Sequence, residues 1–120
     1  MRVRALRGAV TADEDTKEEI VEATTELLEE MLDRNDVATD DVVFILFTAT
    51  RDLTAEFPAA AVRKLGLSHI PVICARELAV EGALARTVRA MMLINTDKAR
   101  EQLRHVYIRD ARQLRTDLPE

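Results

Sequence analysis

The sequence has little of what builds covalent or metal chemistry. Cys74 is its one cysteine, so no internal disulfide can form and a cysteine zinc site lacks its ligands. His69 and His105 are the only histidines, too few for a histidine-rich metal centre. No glycine-rich phosphate loop is present, and no Ser-His-Asp order with a supporting motif. Aromatic residues make up 3% and tryptophan is absent, which leaves the core to Val, Ile, Leu, Met and Ala. The longest apolar run, Val42–Phe47, is far too short to span a bilayer. The N-terminal MRVRALRGAV is charged and has no apolar stretch of the kind a signal peptide needs. These absences set the expectation of a cytoplasmic protein that engages neither membrane nor metal. A net charge of −5 adds that nucleic acid is not the partner, since such binders carry a basic face. It leaves small anions open, because a few arginines in a cleft can outweigh a negative exterior.

The chain's 120 residues suit one domain with one core, and 48% hydrophobic with 32% charged residues is ordinary for a globular protein. Residues 2–10 (RVRALRGAV) predict a strand ending near Gly8, with Val3, Ala5 and Arg7 on one face. Residues 15–34 predict an amphipathic helix: Ile20, Thr24, Leu27, Leu28 and Met31 recur at helical spacing. Thr16 and Glu19 stand at capping-box spacing, and Asn35 with Asp36 marks the exit. The run VVFILFTAT (42–50) predicts a strand covered on both sides. A short helix follows Pro58 and closes at Gly66; further strands are expected at 69–74, 86–95 and 104–108. The polar tail from about 111 is expected to be mobile. The order implies an α+β fold: one mixed sheet with one long and one short helix outside it. An apolar strand in so small a chain further implies that another subunit covers the open face.

One feature of the 86–95 strand stands out. Arg89 shares a face with Met91 and Leu93, a cation among apolar neighbours, and Arg7 repeats the pattern. Arg7, Arg63 and Arg89 fall at or beside predicted elements near Glu77, Cys74 and Tyr107. Arginine's planar fork holds a carboxylate bidentately. Several arginines with a carboxylate, a phenol and a thiol suit a small di-acid bearing a hydroxyl. Each residue also has an ordinary structural reading. The arginines could serve ion pairs, Cys74 could be a small buried hydrophobe, and Tyr107 could belong to the core or an interface. Glu77 could be a solvated carboxylate. His69 and His105 read as structural.

The stretches RALRGAVTADEDT (4–16), DLTAEFPAAAVR (52–63), IPVICARE (70–77), VRAMM (88–92) and RHVYIRDARQLRTDL (104–118) together resemble the AroH-class chorismate mutases. The resemblance implies a homotrimer, a pseudo-α/β-barrel of sheets with helices outside, and active sites between subunits. It implies the Claisen rearrangement of chorismate to prephenate, on the route to phenylalanine and tyrosine, with no cofactor. It implies that Arg89 faces the ether oxygen. Arg7 and Tyr107 would bind carboxylate, and Glu77 would accept a hydrogen bond from the ring hydroxyl, with Cys74 near the same edge. Phe57, Ala59 and Arg63 would come from the neighbouring subunit, Ile73 would line the site, and Leu114 and Arg115 would close its entrance. Ala60 stands where a lysine can occur in the family, and Ile73 where a threonine can. Two other classes share such an architecture: a trimeric enamine or imine deaminase, and a non-catalytic sensor of small acids.

Overall fold

The computed structural model describes residues 1–117. Its elements are β1 (Arg2–Thr11), α1 (Lys17–Arg34), β2 (Val42–Ala49), α2 (Ala60–Lys64), β3 (Val72–Arg76), β4 (Thr87–Thr96) and β5 (Val106–Tyr107). Short 3-10 turns occupy Thr39–Asp41, Arg100–Gln102 and Arg109–Leu114. The strands form one mixed sheet in the order β3-β2-β4-β1-β5. β4 is antiparallel to both its neighbours, while the outer strands β3 and β5 run parallel to β2 and β1.

Alternation along each strand sorts the sheet into two faces. Leu6, Val10, Ile45, Phe47, Val88, Ala90, Met92 and Ile94 are buried on the inner face. Against them α1 buries the stripe Ile20, Ala23, Leu27, Leu28 and Met31. Ala61 and Val62 of α2 join the same core. A register shift between Val42 and Phe44 lets Val42 and Ile45 both turn inward, three positions apart. The outer face carries Val3, Ala5, Arg7, Leu46, Thr48, Arg89, Met91 and Leu93, with no described helix over it. Val3 is 58% exposed and Ile73 55%.

The local chemistry follows the expected signals, with instructive departures. Thr16 caps α1 by accepting from the Glu19 N–H at 3.2 Å. The reciprocal half of a capping box is replaced: the Glu19 carboxylate takes the Asp13 N–H and pairs with Arg109 at 3.2 Å. β1 does not end near Gly8 but runs on to Thr11, because Gly8 pairs with Ala90 on one side and Val106 on the other. The glycine serves close approach. A Cβ there would lie 2.7 Å from Met31 Sδ and 2.9 Å from Leu27 Cδ1. The strand expected at 69–74 starts only at Val72, since Pro71 has no N–H to give the ladder; its carbonyl accepts from Ile45 N–H at 3.0 Å. The last strand shrinks from 104–108 to Val106–Tyr107, as Arg104 N–H is diverted to the Asn35 side chain at 2.7 Å. Gly66 closes α2 with φ +74°, a left-handed value natural to glycine. Residues 118–120 of the predicted tail lie outside the described residues; Ala111, near its start, is buried within the 109–114 turn.

Candidate active site

The open face of the sheet gathers charge at one place. Arg7 (β1), Arg89 (β4), Tyr107 (β5) and Glu77, just past β3, line one cleft of about 260 Å³ together with Gly8, Leu46, Thr48, Ala90 and Met91. Register explains the convergence. Ala9 faces both Arg89 on β4 and Tyr107 on β5, and Arg7 lies two residues earlier on the same side of β1. Thr48 of β2 stands opposite Arg89 on the other flank of β4. Glu77 prolongs β3 by donating its N–H to Ala49 O at 3.0 Å. Its carboxylate then reaches Arg89 Nε at 3.2 Å and accepts from the Thr48 hydroxyl. The Glu77 side chain is 22% exposed and that of Arg89 43%.

Neighbouring groups hold these residues from behind. The Arg7 N–H donates to His105 Nδ1 at 2.9 Å, which requires that nitrogen to be unprotonated. Burial pushes the His105 pKa below its ordinary 6.5, helped by the positive charges of Arg7 and Arg115. Asn35, at the exit of α1, is buried and binds Arg104 through both backbone groups, donating to its carbonyl at 2.9 Å. That bond fixes the chain just before His105 and Tyr107. Beyond Tyr107, Arg109 adopts φ +55° and clamps to Glu26 at 3.0 Å and Glu19 at 3.2 Å on α1. Arg115 holds Asp117 through two contacts of 3.1 Å. Its pKa is raised chiefly by that hydrogen bonding, with a smaller share from the Tyr107 phenol beside it. Arg115, one residue past Leu114, thus sits at the Tyr107 end of the cleft.

A second cleft, of about 420 Å³, lies on a different part of the chain. Ala49, Leu53–Pro58, Cys74, Ala75 and Arg76 line it. Cys74 pairs with Phe47, whose side chain is in the core, so the thiol belongs to the inner side of β3 and not to the face of Arg89. Phe57 is 67% exposed on the rim. Asp15 anchors the loop that carries it, accepting from Thr54 N–H at 2.9 Å and Ala55 N–H at 3.0 Å. Its pKa is lowered from 3.8 first by the Thr54 hydroxyl and then by those N–H groups. Ala59 precedes α2 and Arg63 lies exposed on it. Ile73 faces outward opposite Leu46, at the outer strand. Within one chain, then, Arg7, Glu77, Arg89 and Tyr107 come together, with Arg115 beside them. Phe57 and Cys74 share the second cleft, and Ala59, Arg63 and Ile73 do not line the first.

Sequence reasoning missed Thr48, while its structural reading of His105 fits the bond His105 accepts from the Arg7 N–H. Thr48 was hidden inside a run read as uniformly apolar. The alternation of VVFILFTAT around the register shift is the signal that exposes it. Among the described residues no group of three or more His, Cys, Asp or Glu could hold a metal, and no helix is long and apolar enough to cross a membrane.

Comparison with known proteins gives the family of the chain. The family model of chorismate mutase type I matches residues 3–118. The chain is 46% identical over 117 residues to chorismate mutase AroH of Thermus thermophilus, covering 97% of this chain and 96% of the relative. It is 45% identical over 119 residues to chorismate mutase AroH of Bacillus subtilis (strain 168), covering 98% and 94%. A solved chorismate mutase from Clostridium thermocellum superposes with a TM-score of 0.90 at 42% identity, over 92% of this chain and 98% of that one. The chain belongs to the chorismate mutase type I family.

Proposed function

We infer that this protein is a chorismate mutase, an isomerase that converts chorismate to prephenate in aromatic amino-acid biosynthesis. One observation beyond family membership carries the reading. Two arginines, a carboxylate and a phenol converge on one cleft, and among the described residues its lining holds no cysteine, histidine or serine. That set suits a reaction needing no nucleophile. In the rearrangement the ether C–O bond breaks as a C–C bond forms within the same molecule, and no proton changes hands. The protein must hold the folded conformer and stabilise the charge that grows on the ether oxygen. Arg89 takes that role. Glu77 engages its Nε edge, leaving the terminal nitrogens of the fork for the substrate. Arg7 and Tyr107 bind carboxylate, with Arg115 at the same end. Glu77 accepts the ring hydroxyl.

The assembly we propose is a homotrimer with active sites between subunits. Two regions of one chain supply its two halves: Arg7, Glu77, Arg89 and Tyr107 from one subunit, and from the next Phe57 and Cys74 of the second cleft, together with Ala59, Arg63 and Ile73 outside it. Leu114 and Arg115 border the entrance. The exposed apolar side chains of the open face give a reason for such packing. The acidic composition, with no helix among the described residues long and apolar enough to cross a membrane, fits a cytoplasmic enzyme whose partners are its substrate and further copies of itself.

The test is a steady-state assay of purified protein with chorismate, with product identification, beside Arg89→Ala and a measurement of native mass. Removing one donor aimed at developing charge costs ~10²–10³-fold in rate. The expected result is prephenate from a trimeric wild type and a loss of at least that size in a folded Arg89→Ala. A wild type that binds chorismate without turnover would move the protein to the sensor class. Turnover of an enamine instead would move it to the deaminases.

A further inference from the structure

We propose that Thr48 is a positioning residue of the active site: its hydroxyl fixes the Glu77 carboxylate and, through it, the orientation of Arg89. The inference rests on the roles of Glu77 and Arg89 given above. It starts from the strand order. β2 lies between β3 and β4, so a residue at the end of β3 and one on β4 are two strand spacings apart, roughly 9–10 Å. Glu77 must reach across β2 to meet Arg89. Thr48 is the β2 residue it crosses, since Thr48 stands opposite Arg89 in one ladder and opposite Ala75, two residues before Glu77, in the other. The Glu77 N–H is already tied to Ala49 O, which fixes where its side chain sets out.

At the crossing point the side chain meets the hydroxyl. An ionised carboxylate can only accept, so Thr48 donates. Both contacts fall on the same oxygen: Oε1 takes the Thr48 hydroxyl and lies 3.2 Å from Arg89 Nε. This leaves Oε2 for the substrate hydroxyl. It also holds the carboxylate at the Nε edge of the guanidinium. Glutamate has three side-chain torsions. Freed from the hydroxyl, it could slide into a bidentate pairing with the terminal nitrogens. A carboxylate of the protein would then occupy the donors that the ether oxygen needs. The hydroxyl thus keeps Arg89 available.

The test uses Thr48→Val, which keeps the β-branched shape and removes the hydroxyl, and Thr48→Ser, which keeps the hydroxyl. Loss of a hydrogen bond to a charged group corresponds to roughly a tenfold to hundredfold fall in kcat/KM, expected for Thr48→Val with its melting temperature and native mass unchanged. Thr48→Ser should recover most of the loss. The effect should also disappear where Glu77 cannot act. Thr48→Val added to Glu77→Ala, which removes the acceptor, should cost far less than the product of the two single effects. With the chorismate analogue lacking the ring hydroxyl, the Thr48→Val penalty should shrink to what Arg89 misplacement alone produces. If Thr48→Val does not fold, Thr48→Ala takes its place in the same cycle. Full activity in the hydroxyl-free variant, no recovery by Thr48→Ser, or multiplicative effects with Glu77→Ala each overturn the proposal. A wild type with no mutase activity at all fails the functional reading instead, before any Thr48 variant is compared.

Discussion

Replacing Gly8 by alanine tests how the helix layer sets the active-site strand. Gly8 is buried in mid-strand, flanked by β4 and β5, with α1 lying directly on it. An added Cβ meets Met31 Sδ at 2.7 Å, Leu27 Cδ1 at 2.9 Å and Val106 O at 3.2 Å. All three must give. Met31 and Leu27 are fully buried, so their side chains can yield only by displacing other core atoms. Val106 O is backbone of β5, and its displacement carries Tyr107 with it. Inserting a methyl into a packed core costs about 1–3 kcal/mol. Restricting the unfolded chain at a former glycine returns about 0.4–1 kcal/mol. The net is a destabilisation on the order of 1–2 kcal/mol per chain, or roughly a 4–8 °C drop in Tm for a chain of this length. KM should rise more than kcat falls, since the backbone atom that must give, Val106 O, lies on β5 beside Tyr107, while none of the three nearest atoms belongs to the β4 strand of Arg89. Melting at fixed protein concentration, with KM measured beside it, reads both effects. Met31→Ala alone opens a cavity worth about 2–5 kcal/mol. Combined with Gly8→Ala it should cost less than the sum, because the new methyl enters the space vacated. An alanine variant as stable as the wild type, or strict additivity with Met31→Ala, would refute the reasoning.

Two further outcomes are expected. His105 has a folded pKa below 6.5, so the unfolded chain binds the extra proton first as pH falls. Its contribution is full above 6.5 and is lost as pH drops through the folded value; urea midpoints should decline from about pH 7 to 5 more steeply in the wild type than in His105→Asn, whose amide oxygen replaces Nδ1 as acceptor without titrating, and equal slopes would remove the claim. If active sites are shared between subunits, refolding Arg89→Ala together with Phe57→Ala should restore sites that neither homotrimer has, and a mixture no more active than its parents would place both halves in one chain.

The inward side of the fold was legible because its signals are repetitive. The α1 stripe from Ile20 to Met31 and its Thr16 cap could be read directly, and so could the alternation that set Arg89 apart. The departures arise where a single group redirects the backbone. Pro71 delays β3, Asn35 takes the Arg104 N–H from the last strand, and Arg109 draws Glu19 away from its capping partner. Pro71 acts locally; the other two are long-range bonds, up to 90 residues apart in sequence for Glu19 and Arg109, and no local pattern encodes them. The candidate site divides in the same way. Arg7 and Arg89 were conspicuous as cations on apolar strand faces. Thr48 drew no notice, because a threonine in a strand fits its propensity and needs no explanation. Its partner becomes apparent only once β2 is known to lie between β3 and β4. The family resemblance sets Cys74 at the same substrate edge as Glu77; within one chain the two face opposite sides, because three residues along a strand reverse the face.

That reversal bears on the proposed sharing of active sites between subunits. A strand turns successive side chains to opposite faces, so a strand end such as Cys74–Glu77 cannot present all its groups to one cleft. A single chain meets this limit by leaving two partial clefts, and rotation about a symmetry axis can bring one against the other. The same packing changes what the Arg89–Glu77 pair is worth. In a half-exposed setting such a pair contributes about 0–1 kcal/mol, so stability gives little reason to keep it. Covered by a neighbour, the cation loses water and its field strengthens. In the proposed mechanism the cost of that desolvation is borne in the ground state and offset as negative charge grows on the ether oxygen. A cation on an apolar strand face is therefore a poor choice for a monomer's surface and a good one for a cleft that closes on assembly.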